Sequence, residues 1–149
     1  MKTLLFVTFV ICLFPGFQTV SARDIWVVSI DGQHIEAEIA QTPEQQQLGL
    51  GNRFSLPVGQ GMLFLYDDPG VRIFWMKRMN FSIDIIWLRN NKIVHIRENV
   101  PPPRHGTPDD QLKRYGYGVL ADMVLELPAG YVKRYRVSPQ SLFTIEKRD

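Results

Sequence analysis

Short runs of alternating apolar and polar residues, cut by Asp-Gly, Pro-Gly, Asn-Asn and Ala-Gly, recur along most of the chain after its N-terminal apolar stretch. A period of two marks half-buried strands rather than helices. Residues 24–30 and 34–40 predict a first hairpin closed at Asp31-Gly32. Residues 62–66 and 71–76 predict two further strands separated by Asp67-Asp68-Pro69-Gly70. The clearest local signal lies at residues 83–89 and 92–100, which flank Asn90-Asn91. Both asparagines tolerate the positive φ of a tight type I′ turn. Residues 119–127, 131–136 and 142–145 complete the expected strands, with Pro128-Ala129-Gly130 turning the chain.

One stretch predicts a helix, near residues 43–49. Thr42 suits the cap, Pro43 the first helical position, and Glu44 the positive end of the dipole. Gly49 and Gly51 stop it. Residues 101–118, with three consecutive prolines and several glycines, predict a long irregular loop of the kind that carries function. Many short strands and one brief helix place the chain in the mainly β class, α+β at most. The expected architecture is a small single-domain antiparallel β-barrel or sandwich.

A two-residue loop at Asn90-Asn91 sets a register for its hairpin. Trp87 then pairs with Val94, Ile85 with Ile96 and Ile83 with Glu98, while Leu88 pairs with Ile93, Ile86 with His95 and Asp84 with Arg97. That register expects a cross-strand ion pair between Asp84 and Arg97, at the end where MKRMN enters and ENVPPPRHG leaves.

The N-terminus changes the expected compartment. Met1-Lys2, an apolar run over residues 4–14 and the small residues Val20-Ser21-Ala22 predict a secretory signal over residues 1–22. The run is too short to predict a membrane span. Cleavage leaves residues 23–149, one domain's length, expected to be periplasmic or secreted. The formal charge of +2 falls to +1 with the loss of Lys2, which gives no case for nucleic acid. The single cysteine, Cys12, lies in the signal, so neither thiol chemistry nor a disulfide is expected in the mature chain.

Four ordered segments, AQTPEQQQLGLGNRFSLPVGQGMLFLY, FWMKRMNFSIDIIWL, KIVHIRENVPPP and VLELPAG, resemble the domain of unknown function 192 family over about residues 30–137. The resemblance implies a compact β-rich domain with little helix, and implies no activity. It places characteristic residues at Arg53, Gly61, Met62, Phe64, Phe74, Trp75, Met76, Lys77, Asp84, Glu98, Leu125, Glu126 and Gly130. Where relatives carry Asn and Thr and then Pro-Leu-Asp after the Trp-Met-Lys, this chain has Arg78, Met79 and Ser82-Ile83-Asp84.

Three functional readings compete. A non-catalytic small-molecule or accessory module would bind a polar, anionic or carbohydrate ligand at a rim of Arg53, Trp75, Lys77, Asp84, Glu98, Arg104 and Tyr115, or would meet an exported protein partner. A periplasmic Cu(I) carrier would use Met76, Met79 and His95, since thioether and imidazole suit that ion; methionine more commonly fills cores. A hydrolase-like enzyme would use Lys77, Asp84 and Glu98, although no nucleophile motif, phosphate loop or zinc motif is present. The expectation is a binding module with no cofactor.

Overall fold

The structure, a computed structural model, describes residues 24–146. The signal expected over residues 1–22 lies outside the described residues. Strands β1 (Ile25–Ile30) and β2 (Gln33–Ala40) lead into helix α1 (Pro43–Leu48). Then follow β3 (Gln60–Val71), β4 (Phe74–Trp75), β5 (Ile83–Arg89) and β6 (Lys92–Val100). A 3-10 turn at Asp109–Gln111 precedes β7 (Arg114–Tyr115), β8 (Leu120–Pro128), helix α2 (Tyr131–Tyr135) and β9 (Phe143–Glu146). Among the described residues, no helix is long and apolar enough to cross a membrane.

The chain is mainly β. Seven strands in the order β6-β5-β8-β3-β2-β1-β9 form one sheet that curls into a half-barrel, and β4 and β7 form a separate ribbon. Every pair in the large sheet is antiparallel except β2 with β3, which is parallel. The departure from the expected all-antiparallel sheet follows from α1. Its cap is a reciprocal capping box between Thr42 and Gln45, so the helix forms where the sequence predicts. A connection of that length carries the chain back to the end where β2 began, and the next strand must run the same way.

Both faces of the sheet are covered, which explains why β5 is buried at every position from Ile83 to Leu88. Ile86, Leu88, Leu125 and Leu127 pack on one face with Tyr131 and Val132 of α2. Ile85, Trp87, Val124, Met62 and Phe64 pack on the other, beneath the β4–β7 ribbon and the loop after α1. The second face is where a site can form, since ribbon, loop and the end of the short helix α1 cover it.

Three expectations are corrected. Residues 131–136 are not a strand, because the carboxylate of Asp84 captures the backbone N–H groups of Gly130 at 3.2 Å and Val132 at 2.8 Å. Those are first-turn donors of α2, and a side chain far away in sequence caps them. Asp84 also accepts from Asn99 N at 2.8 Å and is fully buried, so it makes no ion pair with Arg97. Second, β6 carries extra residues: Leu88 faces Ile93, but Trp87 faces His95, Ile85 faces Arg97 and Ile83 faces Val100. Bulges of this kind relieve an edge strand that must coil with the sheet. Third, Asp67-Asp68-Pro69-Gly70 does not end a strand but bulges within β3, between Leu65 opposite Met123 and Gly70 opposite Ala121. Of the strand expected at residues 71–76, Val71 ends β3 and only Phe74–Trp75 forms a strand of its own.

Gly116 locks the ribbon onto the sheet. Its φ is +87°, and an added Cβ would press on the carbonyl of Arg72 and lie 2.7 Å from Nε1 of Trp87, the two atoms that hydrogen-bond to each other at 2.8 Å. Gly116→Ala is therefore expected to lower stability by at least about 2 kcal/mol, from the strained φ and the clash together. A fall in the urea midpoint with loss of the near-ultraviolet tryptophan signal checks it. Asp84→Ala removes the acceptor of three backbone donors, that of Val132 buried and those of Asn99 and Gly130 less so, and is expected to cost about 3 kcal/mol in the same measurement. A change under 1 kcal/mol would show that α2 is capped some other way.

Candidate binding site

The site grows from one misfit residue. Val124, Leu125 and Leu127 of β8 are fully buried, and Glu126 sits among them at 5 % exposure. Strand alternation turns Glu126 to the ribbon-covered face, where its register partners are Met62 of β3 and Ile85 of β5. Its Oε2 has no hydrogen-bond partner. Burial pushes the Glu126 carboxyl up to about 8, against the opposing field of Arg53. A buried polar atom left without a partner is rare, and such groups concentrate where something else is to be bound.

Glu126 lies at the floor of a hollow of about 80 Å³. Four aromatic rings line it, those of Phe64, Tyr66, Phe74 and Trp75, together with Met79 and the α1 segment from Gln46 to Gly51. The ring of Phe74 meets Phe64 edge-on at 4.8 Å and Trp87 at 6.0 Å, so the wall is rigid packing rather than loose side chains. Gln46 reaches across from α1 to donate to the carbonyl of Leu65 at 2.7 Å, which ties the helix to the mouth. Burial raises the Tyr66 phenol to about 12, the Arg72 guanidinium 3.9 Å above its ring opposing and the Glu126 carboxylate adding to the rise.

The residues predicted for a rim are brought together only in part. Trp75 and Lys77 line the hollow. The Lys77 ammonium lies 5.3 Å from the Trp75 ring centre and pairs with Asp109, and Arg114 covers the same ring at 4.7 Å. Arg53 stands behind the floor rather than at the rim, gripping Glu38 through two bonds of 2.6 and 2.8 Å, a pairing that raises its own pKa. Asn80 donates to the carbonyl of Arg53 and Asn52 to that of Arg78, both at 2.8 Å, which straps the loop after α1 to the one after β4. Asp84 faces the opposite side of the sheet. Arg104 lines a hollow under the triple proline with Met76 and Tyr115, and Glu98 lines a third with His95, Arg97 and Tyr115.

Two of the alternative constellations are thereby pulled apart. Met79 faces the Glu126 hollow, Met76 the proline hollow and His95 the third, where burial and Arg97 lower the imidazole pKa. Lys77, Asp84 and Glu98 likewise share no cavity. Glu126 did not figure among the candidate site residues, although a lone acid inside VLEL was a legible signal. An unpaired charge in a strand otherwise built for burial asks for a partner.

The fold and site define a β-rich half-barrel domain with one acid-floored aromatic hollow. The chain belongs to the family of domain of unknown function 192, described as uncharacterized ACR, which matches residues 26–145. No curated protein matches it. Among solved structures it is similar to a protein of Sinorhizobium meliloti 1021 described as a proposed transcription regulator, at 26 % identity and a TM-score of 0.71, covering 83 % of this chain and 95 % of that one. It is also similar to a protein of unknown function from Novosphingobium aromaticivorans DSM 12444, at 25 % identity and a TM-score of 0.73, over 88 % of this chain and 92 % of that one.

Glu126 should dominate the pH dependence of stability near neutrality. Its folded pKa, about 8, lies above the ordinary 4.5, so the folded state holds the proton more tightly. The corresponding stability is present in full below about pH 4.5 and is lost as pH rises through about 8. Glu126→Gln, which cannot ionise, is expected to match the wild type near pH 4. At pH 9 it should exceed it by on the order of 3–5 kcal/mol, read from urea midpoints across that range. Parallel curves for the two proteins would mean that Glu126 ionises freely.

Proposed function

We propose that the protein is a non-catalytic binding module, exported through its N-terminal signal, that takes one polar group of a small ligand into the Glu126 hollow. The observation that carries the reading is that Glu126, whose buried Oε2 has no hydrogen-bond partner, lines a cavity together with four aromatic residues. Ligand sites combine an apolar, largely preformed wall with a few placed polar groups, and this hollow has that composition. Its volume amounts to two or three water molecules at about 30 Å³ each, so it admits a head group and not a whole ligand. The anionic ligand considered from sequence alone finds no support at this floor, where it would meet a carboxyl. The catalytic set considered from sequence, Lys77, Asp84 and Glu98, shares no cavity and lends catalysis no support.

A thermal-shift screen of residues 23–149 against amines, sugars, amino acids and carboxylates tests the reading. One class is expected to raise the wild-type midpoint by mass action, with about 2.7 kcal/mol of stabilisation at a hundredfold excess over Kd, and to leave Glu126→Gln unmoved. If no class shifts the wild type, or if the shift survives Glu126→Gln, the hollow is not the binding site.

A further inference from the structure

We infer that the Glu126 hollow, read as a binding site above, is built for an alkylammonium group: a primary or methylated amine at the end of a short carbon chain. Three features point to the same chemistry. Glu126 lines the hollow, and its Oε2, an acceptor in the ionised state, has no hydrogen-bond partner. The walls are ring systems whose electron-rich faces attract cations, and the protein already uses two of them so: Arg72 rests on Tyr66, and Lys77 and Arg114 rest on Trp75. Those cations stand on the rim rings, while none is hydrogen-bonded to the acid at the floor. Leu48 at 54 % and Ile73 at 42 % exposure also line the hollow, beside Gln46, Gln47 and Lys77, and offer apolar surface to the carbon chain behind the charged head.

The competing ligands satisfy less of the site. A hydroxyl can bond to Glu126 but makes no use of the ring faces as cation acceptors. An anion is repelled by an ionised floor and gains one hydrogen bond from a neutral one. An ammonium group satisfies the acceptor and the rings together, and it holds Glu126 in its ionised form.

The charged and titratable groups around Glu126 fix the expected pH dependence. They are Arg53 from the loop after α1, held by two hydrogen bonds to Glu38 of β2; Tyr66 of β3, uncharged until about pH 12; Arg72 over the Tyr66 ring and Arg114 over the Trp75 ring; and Lys77 after β4, paired with Asp109. Arg53, whose pKa is raised, and Tyr66 keep their charge between about pH 6 and 9. Glu126 changes its charge there, so cation binding must expel its proton, and affinity should climb with pH until Glu126 is ionised in the free protein.

The experiment is isothermal titration of residues 23–149 with n-butylammonium, with n-butanol as its uncharged counterpart, and with lysine blocked at both termini. Runs at about pH 6, 7, 8 and 9 use two buffers of different ionisation enthalpy. Butylammonium is expected to bind at least about tenfold more tightly than butanol at pH 8. Its affinity should rise about tenfold from pH 6 to 7 and level off above pH 8, with close to one proton released per ligand at the acid end. Glu126→Gln should abolish this binding. If that variant does not fold, the wild-type pH profile and the charged-to-neutral pair decide alone. Binding by blocked lysine as well as butylammonium assigns the ammonium to a protein or peptide side chain, and binding by butylammonium alone assigns it to a free amine. Equal binding of butanol, or affinity that falls as pH rises, overturns the ammonium assignment while leaving the hollow a site for hydroxylated ligands. Failure of every polar probe overturns the site itself.

Discussion

The carboxylate of Asp84 holds the architecture together. It sits wholly buried on the central strand β5, and its three acceptor bonds reach Asn99 at the end of β6 and Gly130 and Val132 at the start of α2. A buried carboxyl in that position is tolerable because three backbone N–H groups bond to it. Those bonds in turn decide two things the local sequence does not: that residues after Gly130 wind into a helix, and that the edge strand β6 closes its bulged end against β5. With α2 pinned, Tyr131 and Val132 seal one face of the sheet, and the hydrophobic packing of that face follows.

One residue further along the register, the sheet presents the opposite case. Asp84 lies across from Leu127, and Ile85 from Glu126, so the two buried acids stand on neighbouring strands and point to opposite faces. Asp84 is saturated with donors and serves the fold. Glu126 has a free oxygen, a carboxyl pushed up to about 8 and a cavity before it. The energetic contrast is large, because an unsatisfied buried acceptor costs stability that a satisfied one does not. Of the buried side-chain atoms without a partner, which also include Asp122 Oδ1 and Tyr131 OH, Glu126 Oε2 belongs to a residue lining this aromatic hollow.

The parallel pairing of β2 with β3 is what brings the cover together. Because α1 is a crossover rather than a hairpin loop, its C-terminal end and the loop containing Arg53 come to lie over β3 and β8, beside Phe64 and Glu126. The straps from Asn52 and Asn80 then fix that loop to the turn after β4, which carries Lys77. The site is thus assembled from α1, β3, β4 and β8, elements separated widely along the chain.

What the sequence determined by itself was whatever depends on near neighbours. Asp31-Gly32 and Asn90-Asn91 closed the two hairpins because the turn needs only two permissive residues. Thr42 and Gln45 capped α1 because both halves of the capping box lie three residues apart, and alternation marked most strands. The family was legible as well, since its motifs are linear. The tertiary structure decided what depends on partners distant in the chain. Residues 131–135 became a helix because Asp84 caps them from 48 positions away. The β5–β6 register slipped because an edge strand must coil with the sheet, a strain that no pairing rule for flat strands contains. Glu126 became the centre of the site because burial is a property of the whole fold. The acid in VLEL was visible from the start, but only packing buried its Oε2 without a partner, in a residue that lines an aromatic hollow.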